Sequence, residues 1–217
     1  KLFKPTPVQQ HAIKPAFDGK DILAIANTGT GKTAAFGIPI IQKLNENKKF
    51  TALIITQTRE LSIQINKHLK DLMGKNIHIK SAVLIGGDSI KKQINVIKQK
   101  PRLFIGTPGR IYDHLTSKNI KLNDIDMLVL DETDRMLDLG FIDQIQNIIN
   151  FLPTKKQTLL FSATLPNKIK KISAQYLSNP INISVEKKDK ILENISHNIV
   201  NLKNSEKYDR LLKELDE

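Results

Sequence analysis

The sequence predicts an α/β fold: a three-layer parallel sheet with helices on both faces. Three observations predict it. First, residues 22–26, 51–56, 103–105 and 127–130 are short apolar runs without in–out alternation, as expected of strands buried on both faces. Second, these runs alternate with stretches of helical period, which implies crossover helices and a parallel sheet. Third, the polar and glycine clusters at 28–33, 57–60, 86–87, 107–110, 131–134 and 162–164 each follow a predicted strand. That puts them on one edge, where such sheets bind their ligands.

Residues 5–19 read as a helix with Thr6 as N-cap, Pro7 at the first helical position and Gly19 as a stop. Pro15 must kink this helix or lie near its boundary. Gln9, on the helix, reads by itself as an exposed residue. After strand 22–26, a helix runs from Lys32 to roughly Asn47, and residues 51–56 form the next strand. Leu61, Ile65, Leu69 and Leu72 mark a helix over 59–72. Residues 77–85 read as a strand ending at Gly86-Gly87. Ile90, Ile94 and Ile97 mark a helix. Strand 103–105 leads to helix 111–115, and strand 127–130 runs straight into Asp131-Glu132-Thr133-Asp134. Helix 141–152, strand 158–161, helix 166–177 and strand 181–185 follow. Residues 186–194 are charged and read as a linker. Residues 195–202 alternate weakly and read as extended, and Tyr208, Leu211, Leu212 and Leu215 outline a short amphipathic helix.

The chemistry centres on residues 21–33. An apolar strand breaks into Asn27-Thr28-Gly29-Thr30-Gly31, and Lys32-Thr33 opens a helix. Gly29 and Gly31 carry no side chain, so backbone N–H groups can ring a phosphate. The helix adds its free N–H groups and the positive end of its dipole. Lys32 brings a charge to the β- and γ-phosphates, and the Thr33 hydroxyl is placed to ligate Mg²⁺. The general phosphate-loop pattern has a first glycine where this chain has Ala26. Downstream, Asp131 and Glu132 end a hydrophobic strand. One carboxylate there can hold Mg²⁺ opposite Thr33, and the other can orient and deprotonate an attacking water. Together these halves describe a nucleoside triphosphatase site. The five histidines (His11, His68, His78, His114, His197) show no ligand spacing.

With 217 residues, 24.5 kDa and 40% hydrophobic residues, the chain is one large domain with at most a short extension. No apolar run reaches the ~18 residues needed to span a bilayer. There are no cysteines, so no disulfides, which fits a reducing compartment. The expected location is intracellular, cytoplasmic or nuclear/nucleolar. The N-terminus lacks both an initiator Met and an apolar leader, and reads as cut from a longer chain. The net charge is +12. Residues 186–217 carry 7 basic and 8 acidic side chains, leaving 27 and 14 in residues 1–185. The main domain is therefore basic, which suits either a polyanion partner or plain solubility. Arg59 and Arg110 each start a helix after a strand, and Gly86, Gly87 and Gly109 admit a close backbone, as phosphate contacts require.

With these clusters in this order, the chain resembles the first RecA-like domain of DEAD-box RNA helicases, a P-loop NTPase domain, over residues 1–185. Residues 5–9 match the Q motif and residues 26–33 motif I, whose alanine explains Ala26. Residues 58–61 match motif Ia, Gly86-Gly87 the double-glycine motif, 107–110 motif Ib, 131–134 motif II and 162–164 motif III. The resemblance implies roles. Gln9 selects adenine. Thr28, Gly29, Thr30, Gly31, Lys32 and Thr33 hold ATP or ADP, and Thr33 and Asp131 hold Mg²⁺. Glu132 is the catalytic base, with Asp131 and Lys32 also catalytic. Asp134, Ser162 and Thr164 couple ATP to RNA, and Arg59, Gly87, Thr107 and Arg110 grip the RNA backbone without reading sequence.

There are departures. Thr133 stands where the family has alanine, which adds a hydroxyl and a methyl in a tight turn but leaves the carboxylates. Gln57 replaces a proline and should loosen its turn slightly. The aromatic residue expected before the Q motif would lie ahead of Lys1. Residues 186–217 resemble a linker and the start of a second RecA-like domain, whose arginines would complete the ATP site. A chain without them is expected to bind nucleotide but hydrolyse almost nothing. Two other readings remain: a DNA or DExH-type helicase domain, and an ATP-gated RNA clamp that does not unwind.

Overall fold

The computed structural model describes residues 4–74, 78–185 and 200–216. The chain divides into two compact units, Lys1–Glu186 and Lys187–Glu217. In the first unit, among the described residues, seven strands form one sheet: β1 (Ile22–Ala26), β2 (Ala52–Ile55), β3 (Ser81–Leu84), β4 (Leu103–Gly106), β5 (Met127–Leu130), β6 (Gln157–Ser162) and β7 (Ile181–Val185). The spatial order is β3-β4-β2-β5-β6-β1-β7, and every neighbouring pair is parallel. The predicted fold class is the observed one.

Parallel strands need crossovers, and the helices supply them. Helix α1 (Pro7–Phe17) precedes β1, and the crossover helices are α2 (Lys32–Glu46), α3 (Arg59–Met73), α4 (Ile90–Ile97), α5 (Pro108–Thr116), α6 (Thr133–Asp138), α7 (Ile142–Asn150) and α8 (Asn167–Tyr176). The pleat divides the core between the two faces. Met127, Val129, Leu159 and Phe161 point to one face, where α1, α2 and α3 bring Ala12, Phe36, Ile40 and Leu69. Phe36 meets Phe161 edge-on, ring centroids 5.4 Å apart. Leu128, Leu130 and Leu160 point to the other face, where α5, α7 and α8 bring Ile111, Ile145 and Ile169. Each fully buried Leu or Ile contributes about 1.5–3 kcal/mol. Apolar runs without alternation are what two covered faces demand.

Several elements differ from expectation. The strand expected over 77–85 is only Ser81–Leu84, and Ile77 lies outside the described residues. The segment after β5 turns into α6, a short helix that the sequence reading missed. Gln9 is buried rather than exposed, at 4% accessibility. On α4 the inward residue is Gln93, while Ile90 is exposed. Gln93 is kept inside by its hydrogen bonds: Nε2 donates to Ile85 O at 2.8 Å, and Oε1 accepts from His114 Nε2 at 3.0 Å. Asp21 is a second buried polar anchor. Its carboxylate accepts from Thr158 N and Ser178 N, both at 2.7 Å, which fixes the entry to β1 against β6 and the approach to β7.

In the second unit, residues 200–203 have no regular structure, and a short 3₁₀ turn (Asn204–Glu206) leads into α9 (Lys207–Asp216). Tyr208, Leu211 and Leu212 are exposed. The expected linker at 186–194, residues 195–199 of the extended run and the side chain of Leu215 lie outside the described residues.

His114 Nδ1 lies 3.3 Å from Asn119 Nδ2, so both ring nitrogens of His114 are engaged in the neutral tautomer. Burial holds its pKa below the usual 6.5, with Arg110 adding to the depression and Asp113 opposing it. A histidine kept neutral in the fold costs stability once the unfolded chain protonates. Stability should therefore fall as pH drops below 6.5, and His114→Gln should fall less. Thermal unfolding of both proteins from pH 7.5 to 5.5 checks this: parallel curves would show that the fold does not hold His114 neutral.

Candidate functional site

The turn after β1 and the start of α2 build the first half of the site. Gly31 is the N-cap of α2, with φ 91 and no side-chain cap, so the first N–H groups of the helix stay free. Thr28, Gly29, Gly31, Lys32 and Thr33 line a cavity of about 500 Å³, together with Thr6, Gln9, Asp131 and Glu132. Thr30 is different: its hydroxyl turns back and donates to Asn27 O at 2.7 Å, closing the turn.

Gln9 packs against the loop. Its Oε1 accepts from Thr6 N at 3.0 Å, and its Nε2 donates to Gly31 O at 3.1 Å. A Cβ on Gly31 would collide with the Gln9 amide. Gly31 thus has two reasons to be glycine, its positive φ and the glutamine that fills the space above it.

Lys32 is buried, and its Nζ has no hydrogen-bond partner among the described residues. A buried ammonium without a partner is costly, so the site fits an anion at this point. Asp131 faces it from the end of β5. Burial pushes its carboxyl up to about 6; Lys32 pulls it down and Glu132 adds to the rise. A buried carboxylate that resists its own charge fits a cation beside it, so the donor set of Thr33 and Asp131 suits Mg²⁺. Glu132 is the N-cap of α6 with φ 54, a left-handed conformation uncommon outside glycine.

Motifs from two strands meet behind this cavity. Asp134 N donates to Ser162 Oγ at 3.2 Å. Asp134 Oδ2 accepts from Thr164 N at 2.9 Å and Thr164 Oγ1 at 3.0 Å. Burial pushes the Asp134 carboxyl up, but the hydrogen bonds from Thr164, Ser162 and the Ala163 backbone outweigh it and hold it below the usual value. Thr133 has no solvent exposure, and its hydroxyl donates to Phe161 O at 3.2 Å and Leu130 O at 3.4 Å. It adds a β5–β6 tie that an alanine cannot make.

A second cavity, of about 490 Å³, lies along the same edge, lined by residues that include Gln57, Arg59, Gly86, Thr107 and Arg110. The Arg59 guanidinium lies over Gly86-Gly87, and a Cβ on Gly87 would strike it. The glycine pair makes room for an arginine here. Arg110 Nη1 donates to Asp88 O at 3.0 Å, and its Nε faces Asp113 at 3.7 Å.

The structure thus brings Gln9, Lys32, Thr33, Asp131 and Glu132 to one cavity, and Arg59, Thr107 and Arg110 to another, with Gly87 under Arg59. Sequence reading missed Thr6 as a lining residue, its Oγ1 buried without a partner among the described residues; its place before Pro7 signalled only a cap. It also missed the role of Gln57, whose Nε2 donates to Glu132 Oε2. Gln57 sits just beyond the end of β2, and which strand end neighbours it cannot be read from chain order.

Removing the Thr133 hydroxyl is a direct check of the strand tie. Thr133→Ala should lower the unfolding free energy by about 1–2 kcal/mol in urea denaturation and leave nucleotide affinity unchanged. Undiminished stability would show that the tie contributes nothing.

Comparison with known proteins agrees with this geometry. The DEAD/DEAH box helicase family model matches residues 6–172. The ATP-dependent RNA helicase CshA of Limosilactobacillus reuteri is 43% identical over 212 residues, covering 97% of this chain and 42% of that protein. The DEAD-box ATP-dependent RNA helicase RhpA of Helicobacter pylori is 47% identical over 181 residues, covering 83% of this chain and 37% of that protein. The chain therefore spans about two-fifths of the length of these curated relatives. The crystal structure of a DEAD box protein from the hyperthermophile Methanococcus jannaschii matches with a TM-score of 0.80 and 37% identity, over 99% of this chain and 58% of that one. Phosphate loop, paired carboxylates and family match converge, and the chain belongs to the DEAD/DEAH box helicase family.

Proposed function

We propose that this chain is the ATP-binding domain of an ATP-dependent RNA helicase. The observation that carries this is the buried Lys32 ammonium, without a hydrogen-bond partner among the described residues, facing Asp131 and Glu132 across one cavity. The named activities of CshA and RhpA support the same reading. Lys32 and the free N–H groups at the start of α2 bind the β- and γ-phosphates. Thr33 and Asp131 hold Mg²⁺, which supplies charge neutralisation on the phosphate oxygens. Glu132 accepts the proton of the attacking water as the new P–O bond forms and the bond to the leaving ADP breaks. Gln9 reads the adenine edge with the N–H that Gly31 does not use.

The second cavity supports RNA binding. Arg59 and Arg110 supply positive charge beside the Thr107 end of β4, where phosphates are contacted without base reading. Asp134, held by Ser162 and Thr164, links the carboxylate turn to β6 and couples the two cavities. A second RecA-like domain supplies the remaining arginines, a contribution worth roughly 10³–10⁵ in rate in related phosphoryl transfer. The chain alone binds nucleotide and turns over almost none. The absence of cysteine suits an intracellular setting.

Calorimetry with Mg²⁺ tests this. ADP should bind and GDP should not, Lys32→Ala should abolish binding, and Gln9→Ala should remove the preference for ADP. Equal binding of ADP and GDP would favour a DExH-type enzyme, and RNA-stimulated turnover by the chain alone would refute the need for a second domain.

A further inference from the structure

The sheet brings together two residues from different motifs. β2 and β5 are neighbours in register, with Ile55 opposite Leu130. Main-chain pairing continues past the strand ends: Asp131 N donates to Ile55 O at 3.0 Å. Two residues beyond each strand, Gln57 stands beside Glu132, and the Gln57 amide donates to Glu132 Oε2. Gln57 lines the second cavity and Glu132 the first. Their hydrogen bond therefore crosses the wall between the proposed RNA and nucleotide sites.

We propose that Gln57 is a positioning residue that restrains Glu132 until RNA fills the second cavity. The proposal rests on the function proposed above and adds to it how this site is held idle. A carboxylate oxygen that already accepts an amide N–H must give up that bond before it can take a proton from water at the same lone pair. The backbone of Glu132 is set as the left-handed N-cap of α6, which aims its side chain from a defined point beside Gln57. The Glu132 main-chain N–H is also committed, to Asp131 Oδ1 at 3.0 Å. Gln57 lines the second cavity together with Thr58 and Arg59. An RNA phosphate entering beside Arg59 offers it a charged acceptor, and charge-assisted hydrogen bonds form readily there. Transfer of the amide from Glu132 to the phosphate frees Oε2 to act as base. The proline that the resemblance expects at position 57 has no donor, so this restraint belongs to the glutamine.

The test uses the chain joined to its second domain. Gln57→Leu keeps the volume and removes the donor. ATP turnover without RNA should rise about tenfold, the worth of one hydrogen bond to a charged group. Turnover with saturating poly-uridine RNA, and KM for ATP, should stay as they were, so the stimulation ratio falls about tenfold. Gln57→Lys, which restores a donor, should return the RNA-free rate toward that of the unaltered protein. Equal falls with and without RNA would assign Gln57 a merely structural role and overturn the proposal, as would an unchanged ratio. A spectroscopic readout is independent of turnover. The Gln57 side-chain amide resonances should shift on Glu132→Ala, and shift again when RNA is added; resonances indifferent to Glu132→Ala would overturn the proposal. Failure of the parent reading looks different: there the unaltered protein hydrolyses no ATP with or without RNA.

Discussion

β5 is hydrogen-bonded on both edges, to β2 on one side and β6 on the other. That pairing is the constraint on which the site depends. It holds the residues after Leu130 between two other strand ends, so each has a partner waiting. Asp131 is anchored to Ile55, Glu132 meets Gln57, Thr133 meets Phe161, and Asp134 meets Ser162 and Thr164. A carboxylate turn on an edge strand would lack half of these contacts.

The same arrangement explains the electrostatics. Two covered faces bury the strand ends, and burial raises the Asp131 carboxyl to about 6. Asp134, only a turn away, goes the other way because hydroxyl and amide donors surround it. Two carboxyls in one short segment are thus given opposite tendencies by their partners rather than by their chemistry. The buried Lys32 ammonium, without a hydrogen-bond partner among the described residues, completes a site suited to a phosphate and a divalent cation.

Two departures from the family pattern acquire physical meaning in the fold. Thr133 does not crowd its turn, because its hydroxyl finds the Phe161 carbonyl and its methyl is fully buried. Gln57, expected only to loosen a turn, is instead hydrogen-bonded to Glu132. Neither outcome follows from local preference, since both depend on strands distant in the chain.

Much was legible from sequence because it is local. Apolar runs such as residues 127–130 announce buried strands, and the Gly29-Thr30-Gly31-Lys32-Thr33 spacing announces a phosphate-binding turn, since both are dictated by the backbone and side chains of a few adjacent residues. The single edge that carries the candidate site residues also followed, because all-parallel strands point their carboxyl ends one way. What the tertiary structure alone decided is which strand ends are neighbours. Only the order β4-β2-β5-β6-β1 puts Gln57 against Glu132 and Thr133 against Phe161. Gln9 and Gln93 show the same limit: Gln9 reads as a surface residue and Gln93 carries no signal of burial, yet each is buried with its amide hydrogen-bonded to a group from another element. A polar residue goes inside when its hydrogen bonds are met there, and chain order does not reveal that partner.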